Sequence, residues 1–452
     1  MEQKKEDIYM VTATIIGRLQ AQEELSTGKA ALAALRHSIG KPLGEVPAVW
    51  SILFEDMPEK FLSCNGKETK AERAIYAALQ LYAVQKQGRR GKENSDVFLD
   101  IHAIQILPPS NVNRDDTGSP KTANFGGVTR ARVSSQAWKK AIRDYFRDFG
   151  YGFDVGVRTV KARDYIVQSM LAKAASLTQE DAEKKAEDVL KAAGLKSKDG
   201  KLAALFFLGK KQAEALADAA IAGEKDKAKL KALINDRPEI DIALFGRMLA
   251  DDPTMNEDAS SQVAHAISTH AVQTEYDYFT ASDDLADAGS TGAAMIQTNE
   301  FNSSTLYRYA NVALHEFYHQ LKDDKEMTAK AIKLYVEAFA KSMPTGKCNS
   351  YANQTFPQAL LVMLRNDRPI SFVGAYEDPV KAKNGYTEES VKRLFAEEKK
   401  AEKFVHAPLA SFCLLTDESW YLVTEPNDFA GNKEENIDEL LNDLSQQIIS
   451  LL

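Results

Sequence analysis

The chain of 452 residues is poor in cysteine, in histidine and in long apolar runs. Its three cysteines, Cys64, Cys348 and Cys413, are scattered and odd in number. They support neither a disulfide framework nor a zinc ribbon, and they read as reduced thiols of a cytoplasmic protein. No apolar run approaches the ~20 residues of a membrane span, so no membrane role is expected. The charged start Met1–Asp7 leads into no signal-peptide core. No G-x-S-x-G elbow is present, and no Cys–His pair is marked as a nucleophile site. An overall basic charge is also missing. Lys and Arg number 57 against 65 Asp and Glu, a net −8, which taken whole argues against a nucleic-acid binder. What remains is a globular composition, 44% hydrophobic and 27% charged, which excludes a mostly disordered chain. At about 150 residues per domain the length implies two or three domains.

The charge is unevenly distributed. Residues 1–96 carry 14 basic and 13 acidic side chains, so the remainder holds a net −9. The change falls at the polar stretch 89–96, which reads as a linker. Before it, residues 1–88 are patterned as a small all-α segment. Ile8, Val11, Ile15, Ile16 and Leu19 recur on one helix face, Gly28–Ile39 is bounded by Ser26/Thr27 and Gly40, and Ala71–Gln85 is a further helix. After the linker the period changes to two. Val97–Leu107 reads as a strand stopped by Pro108-Pro109, and Arg130–Val133 as a short strand. A helix follows from Ser134/Ser135 to Arg147. Residues 156–235 are rich in Ala, Lys and Glu and read as a helical lobe inserted into a sheet domain. Strand-like pieces recur at 240–248, 276–280, 306–311, 358–365 and 419–424. Residues 312–342 and 379–404 read as helical, and Ile437–Ile448 as an amphipathic tail helix. The fold class is α+β.

Two segments draw attention. Val128–Arg147 holds Arg130, Arg132, Lys139, Lys140, Arg143 and Arg147 with Asp144 as its only acid, a local +5. Trp138, Ile142, Tyr145 and Phe146 fall on one side of the helix, and Lys139, Arg143 and Arg147 on another. Ser134, Ser135 and Gln136 stand at its N-terminus as neutral donors. This pattern suits successive phosphates of a nucleic-acid backbone, or is a solvated charged face. Residues 269–304 form an acidic hairpin whose middle, Gly289–Ile296, carries an apolar tip. Such a tip suits wedging between bases, packing on a neighbouring subunit, or an ordinary hairpin.

His315-Glu316-Phe317-Tyr318-His319 matches H-E-x-x-H, the pattern of a zinc-dependent hydrolase, with Glu337 as a candidate third ligand. Only three positions are fixed by that pattern, and a solvated helix surface is the competing reading. His265 and His270 are poorly spaced for one metal on a helix. No metal or other cofactor is expected.

The order of Asn113-Arg114-Asp115-Asp116, Phe125-Gly126-Gly127, Arg132–Gln136, Asp241–Met248, Ala264–His270, Phe279–Leu285 and Tyr307–Asn311 resembles the CasC family, the repeated backbone subunit of type I-E CRISPR Cascade, over residues 97–452. Residues ~10–88 resemble half of the CasB-family small subunit through Ala33–Arg36, Gly40–Pro42 and Ala77–Gly88. The resemblance implies a fusion of the two. It implies a modified ferredoxin-like (RRM-like) palm, helical fingers at about 156–235 and a β-hairpin thumb at about 271–303. The aromatic RNP1 motif is absent, so stacking on the sheet is not implied. Phosphate contacts are implied at Arg114, Ser134, Gln136, Lys139 and Arg143, with Arg130, Arg132 and Lys140 in the same basic segment. Met248 and Phe279 are implied beside a kinked RNA. Ile296, or Met295, stands at the thumb tip. The implied role is non-catalytic: copies assemble head-to-tail in a helical filament along CRISPR guide RNA, kink it at every sixth nucleotide and present it to target DNA. Large, small and guide-end-capping Cascade subunits are the implied further partners. Arg36, Lys41, Lys86, Arg89 and Arg90 are candidate DNA contacts, or surface charge.

Overall fold

The computed structural model describes residues 96–174, 176–249, 252–281, 295–381, 384–417 and 431–452. The helices expected in 1–88, the candidate DNA contacts Arg36, Lys41, Lys86, Arg89 and Arg90, and the strand expected at 419–424 lie outside them. In chain order the elements are β1 (Phe98–Ser110), β2 (Thr122–Phe125), β3 (Val128–Val133) and α1 (Ser135–Phe149). A helical insertion follows: α2 (Ala162–Lys173), α3 (Gln179–Ala193), α4 (Lys210–Ala222) and α5 (Lys227–Asn235), with short ladders between them. Next come α6 (Ile240–Phe245), β4 (Ser261–Val263), β5 (Ala266–Ser268), β6 (Glu275–Ala281) and β7 (Met295–Ala313). The chain continues with α7 (Leu314–Gln320), α8 (Lys325–Lys341), β8 (Pro357–Arg365) and α9 (Thr387–Ala401). It ends with β9 (Ala410–Leu415), β10 (Asn432–Lys433) and α10 (Ile437–Leu451).

One sheet gathers ten strands in the order β10-β9-β8-β1-β7-β5-β3-β2, with β4 and β6 also pairing with β7. Its centre is buried on both faces. Leu99, Ile101, Ala103, Ala310, Val312, Leu360 and Val362 pack against α1, α8 and α10. Ile104, Tyr307, Leu361 and Met363 pack against the segment around Phe372 and Tyr376 and against α9. Covering both faces explains why β8 reads as a near-continuous apolar run rather than a clean alternation. The insertion has a core of its own, in which Ile166, Met170, Leu190, Phe206 and Leu216 are fully buried.

Four expectations need correction. Residues 240–248 are not a strand: Ile240–Phe245 is a buried helix ended by Gly246 at φ +76. A short apolar run buried on all sides has no period by which helix and strand differ. β1 does not stop at Pro108-Pro109, because a register shift between Leu107 and Ser110 accommodates the prolines. Residues 312–342 begin as the end of β7, and α7 and α8 are separated by Lys322 and Asp323 with positive φ. Helix α9 starts at Thr387, not near Pro379. Strands β2, β4, β5, β9 and β10 are not read from the sequence; β2 has four residues, β4 and β5 three each and β10 two, too few to show a period. Among the described residues no helix is long and apolar enough to cross a membrane.

A polar chain runs through the layer beneath α9. Tyr309 donates its hydroxyl to Asp100 Oδ1 at 2.7 Å, and the Ile370 N–H donates to Oδ2 at 3.1 Å. His102 Nδ1 lies 2.9 Å from the Tyr307 hydroxyl, and its ring stacks on Phe372 at 4.3 Å. Burial pushes the Asp100 carboxyl up to about 7 and the His102 imidazole down to about 3. Asp100 therefore takes up a proton on folding as pH falls through this range. Its contribution to stability is full below its ordinary 3.8 and is lost as pH rises to about 7. Asp100→Asn should flatten the unfolding free energy across that window, measured as the difference between variant and wild-type denaturant midpoints. Parallel curves for the two proteins would refute the assignment.

Candidate nucleic-acid interface

Helix α1 is the element on which the basic face is built. Ser134 precedes it with extended backbone and no side-chain cap. Trp138, Ala141, Ile142 and Phe146 are its buried face. Trp138 lies over the Arg308 guanidinium at 3.6 Å, and Arg308 lies over Phe339 of α8 at 4.2 Å. This stack fixes α1 to the centre of the sheet. In front of the helix, loop 111–121 is locked by its own polar groups. Buried Asn111 donates to the Gly118 and Glu300 carbonyls, each at 2.9 Å. Asp115 Oδ1 accepts from the Thr117 N–H, the Thr117 hydroxyl and the Ser119 N–H. The Thr117 hydroxyl foremost, with these N–H groups, holds the Asp115 carboxyl below its usual range. The Lys121 N–H reaches the Asn113 carbonyl and the Arg132 N–H reaches the Lys121 carbonyl, tying the loop to β3.

The basic residues divide into two sets. Arg130 is fully buried. Its guanidinium donates to the carbonyls of Phe125, Ser268, Tyr376 and Glu377. Gly126 admits this approach: a Cβ there would lie 1.7 Å from the Glu377 oxygen. Arg143 donates to Asp241 Oδ2 and to the Gly156 carbonyl, both at 3.0 Å, and lies over Phe207 at 4.4 Å. Both were read from sequence as RNA contacts. For Arg130 the structure corrects this, because its donors go to carbonyls inside the protein; Arg143 gives Nε to Asp241 and Nη2 to Gly156, which ties α1 to the insertion. Lys140 and Arg147 share Asp144 on the exposed side of α1. Such exposed pairs hold weakly, by about 0.2–1 kcal/mol, and do not withdraw Lys140 from a ligand.

The second set is unpaired. Among the described residues no carboxylate lies within ion-pair reach of Arg114, Lys121, Arg132 or Lys139. Arg114 is exposed at its loop; Lys121, Arg132 and Lys139 are half-buried. Arg132 uses only Nε internally, on the Thr122 carbonyl at 3.1 Å. Lys139 lies over the Phe245 ring at 5.5 Å, and burial lowers its ammonium below the usual value. Gln136 is exposed beside them, and Ser134 is buried with its N–H given to Asn113 Oδ1. Lys121 is not among the residues that the sequence singles out for this face. Its signal was its position just before β2, at the end of a short loop rich in Asn, Asp and Gly.

The apolar candidates lie on other elements. Met248 is 82% exposed, although Arg247 and Leu249 beside it are buried. Arg247 donates to the carbonyls of Met255, Phe207 and Ile234, so the backbone that projects Met248 is fixed. Phe279 is half-buried on β6 opposite Gln297, and Thr280 opposes Ile296. Residues 282–294, and the side chains of Met295 and Ile296, lie outside the described set. Tyr276 and Tyr278, alternate residues of β6, are 67% and 64% exposed.

The H-E-x-x-H residues do not converge. His315 Nδ1 faces the Val97 carbonyl at 3.2 Å and its ring meets Phe98 edge-on. His319 Nδ1 is hydrogen-bonded to Asp323. Glu337 is held by Tyr145, Tyr151 and Lys341. Among the described residues no group of three His, Cys, Asp or Glu side chains is placed to hold a metal ion.

Comparison with known proteins agrees with the sequence resemblance. Residues 99–443 match the family described as CT1975-like protein, and residues 31–142 match CRISPR-associated protein Cse2, so the two overlap over 99–142. The chain is similar to a solved chain of a "CRISPR RNA-guided surveillance complex, pre-nicking", at 30% identity and a TM-score of 0.67, covering 78% of this chain and 100% of that one. A chain of another "CRISPR RNA-guided surveillance complex" matches at 26% identity and a TM-score of 0.59, covering 77% and 99%. No curated protein sequence matches.

Arg143→Ala removes the guanidinium partner of the buried Asp241 carboxyl and leaves it backbone N–H groups, that of Gly156 among them. It should destabilise the protein by about 3 kcal/mol, read from denaturant unfolding. A loss well under about 1 kcal/mol would return Arg143 to the set of free surface cations.

Proposed function

The chain belongs to the CT1975-like protein family and carries a Cse2-like front part, and from that premise we propose that it is a guide-RNA-holding backbone subunit of a Cascade-type surveillance complex. The observation that carries the reading is the set of unpaired cations, Arg114, Lys121, Arg132 and Lys139, around the start of α1 beside the exposed amide of Gln136. Cations left without carboxylates in an acidic protein favour an anion supplied from outside. Their contacts go to phosphates, which suits a guide whose sequence must not matter.

In this reading the sheet is an RRM-like palm, the insertion at about 156–235 the fingers, and the hairpin at about 271–303 the thumb. Met248, Phe279 and the thumb tip at Ile296 or Met295 pack beside RNA kinked at every sixth nucleotide. Unstacking costs about a few kcal/mol per step, and apolar contact offsets it. The thumb of one copy crosses the RNA held by the next. A head-to-tail contact of that kind is heterologous and builds a filament rather than a closed dimer. The exposed segments of guide then pair with target DNA, and large, small and guide-end-capping subunits complete the assembly. The subunit itself does no chemistry. Residues 1–88, with Arg36, Lys41, Lys86, Arg89 and Arg90, supply DNA contacts that a separate small subunit would otherwise make.

The full chain should bind an unstructured single-stranded RNA irrespective of its sequence. Four phosphate contacts at ~0.7 each give a slope of roughly −3 for log affinity against log salt. Arg132→Ala and Lys139→Ala should each reduce that slope by about 0.7. Arg143→Ala, in protein shown to be folded, should leave it unchanged. Fluorescence anisotropy across a salt series makes the measurement, and a flat salt response or marked sequence preference would end the reading.

A further inference from the structure

His265 stands exposed in the short link between β4 and β5, on the basic face but without a charge of its own to offer. We propose that His265 is a further phosphate-holding residue of this face, donating to the RNA backbone from Nε2 as a neutral imidazole. The proposal rests on the reading of the face as an RNA site and adds to it a contact of a different chemical kind.

The geometry fixes the ring. Ala266 pairs with Val133 and Ile267 with Arg132, so position 265 adjoins the start of α1. The Ser135 N–H donates to His265 Nδ1 at 3.1 Å. A nitrogen that accepts carries no hydrogen of its own, so the neutral ring holds its proton on Nε2. Protonating Nδ1 would set one N–H against another and forfeit the bond to the helix. Burial foremost, then the charges of Arg132 and Lys121, hold the imidazole below its usual pKa. Among the described residues no carboxylate is paired with it. The ring is thus kept neutral, in one tautomer, within reach of the field of the two cations that hold the backbone. A hydrogen bond from such a donor to a phosphate oxygen is charge-assisted on the acceptor side. It releases no counterion, because the donor brings no charge.

That distinction supplies the test. Asn keeps an acceptor near the Nδ1 position and lacks the distal donor; Gln keeps a donor near the Nε2 position. With the full chain and the same RNA at mildly alkaline pH, His265→Asn should weaken binding roughly tenfold, the effect of one hydrogen bond to a charged group. His265→Gln should recover most of it. Neither should alter the salt slope, unlike Arg132→Ala. Thermal unfolding of both variants separates binding from folding. Wild-type affinity in His265→Asn would overturn the proposal. So would a salt slope reduced by one contact, or a Gln variant as weak as Asn with both melting early, which would make the ring only a helix support. If the wild-type chain fails to bind RNA, the reading of the whole face falls with it; if the wild type binds and only these variants disagree, His265 alone is wrong.

Discussion

The position of the basic face depends on a buried cation that never meets it. Arg308, in the middle of β7, is sandwiched between Trp138 of α1 and Phe339 of α8. Its Nη atoms reach the Gln105 amide oxygen and the Phe339 carbonyl, and burial lowers its guanidinium to about 9. No carboxylate is paired with it among the described residues. Two aromatic faces take that place, and a desolvated cation–π contact is worth about 2 kcal/mol or more. A strand, a helix beneath the sheet and the basic helix are thereby joined at one side chain. The direction in which Lys139 and Gln136 point follows from it.

Around this anchor the protein uses the same residue type for opposite ends. Arg130, Arg143, Arg247 and Arg308 are turned inward, where planar guanidinium groups satisfy carbonyls of loops and of the last turns of helices. Among the described residues Arg114, Arg132, Lys121 and Lys139 have no anionic partner. Net charge is blind to this division. A total of −8 is compatible with a local anion-binding face, because what matters is which cations the fold has already neutralised.

The sequence made the long periodic elements legible. Strand β1, helix α1, the helical insertion and the tail helix were readable because each has many residues and one dominant period. Short buried pieces were not. Ile240–Phe245 lacks enough turns to declare itself a helix, and β4 and β5 are too brief to alternate. The face was legible only as a cluster. That Arg132 is available whereas Arg130, two residues away on the same strand side, is consumed depends on carbonyls at Ser268, Tyr376 and Glu377, distant in sequence. The contact between His265 and the start of α1 was hidden for the same reason, since Ser135 lies 130 residues away. The H-E-x-x-H pattern failed in the converse way: spacing along a helix set two rings one turn apart, and neighbours outside the helix turned them to separate partners.

Strand β7 runs unbroken for 19 residues, from the hairpin it forms with β6 to the middle of the sheet, where β1 flanks it over most of its length. Hairpin and sheet therefore share a single beam. Tension drawn along the hairpin passes into a ladder whose hydrogen bonds stand across the pull, so they are loaded together in shear rather than peeled one at a time. A pull on the hairpin is thus borne by the covalent backbone of β7 and its ladder with β1.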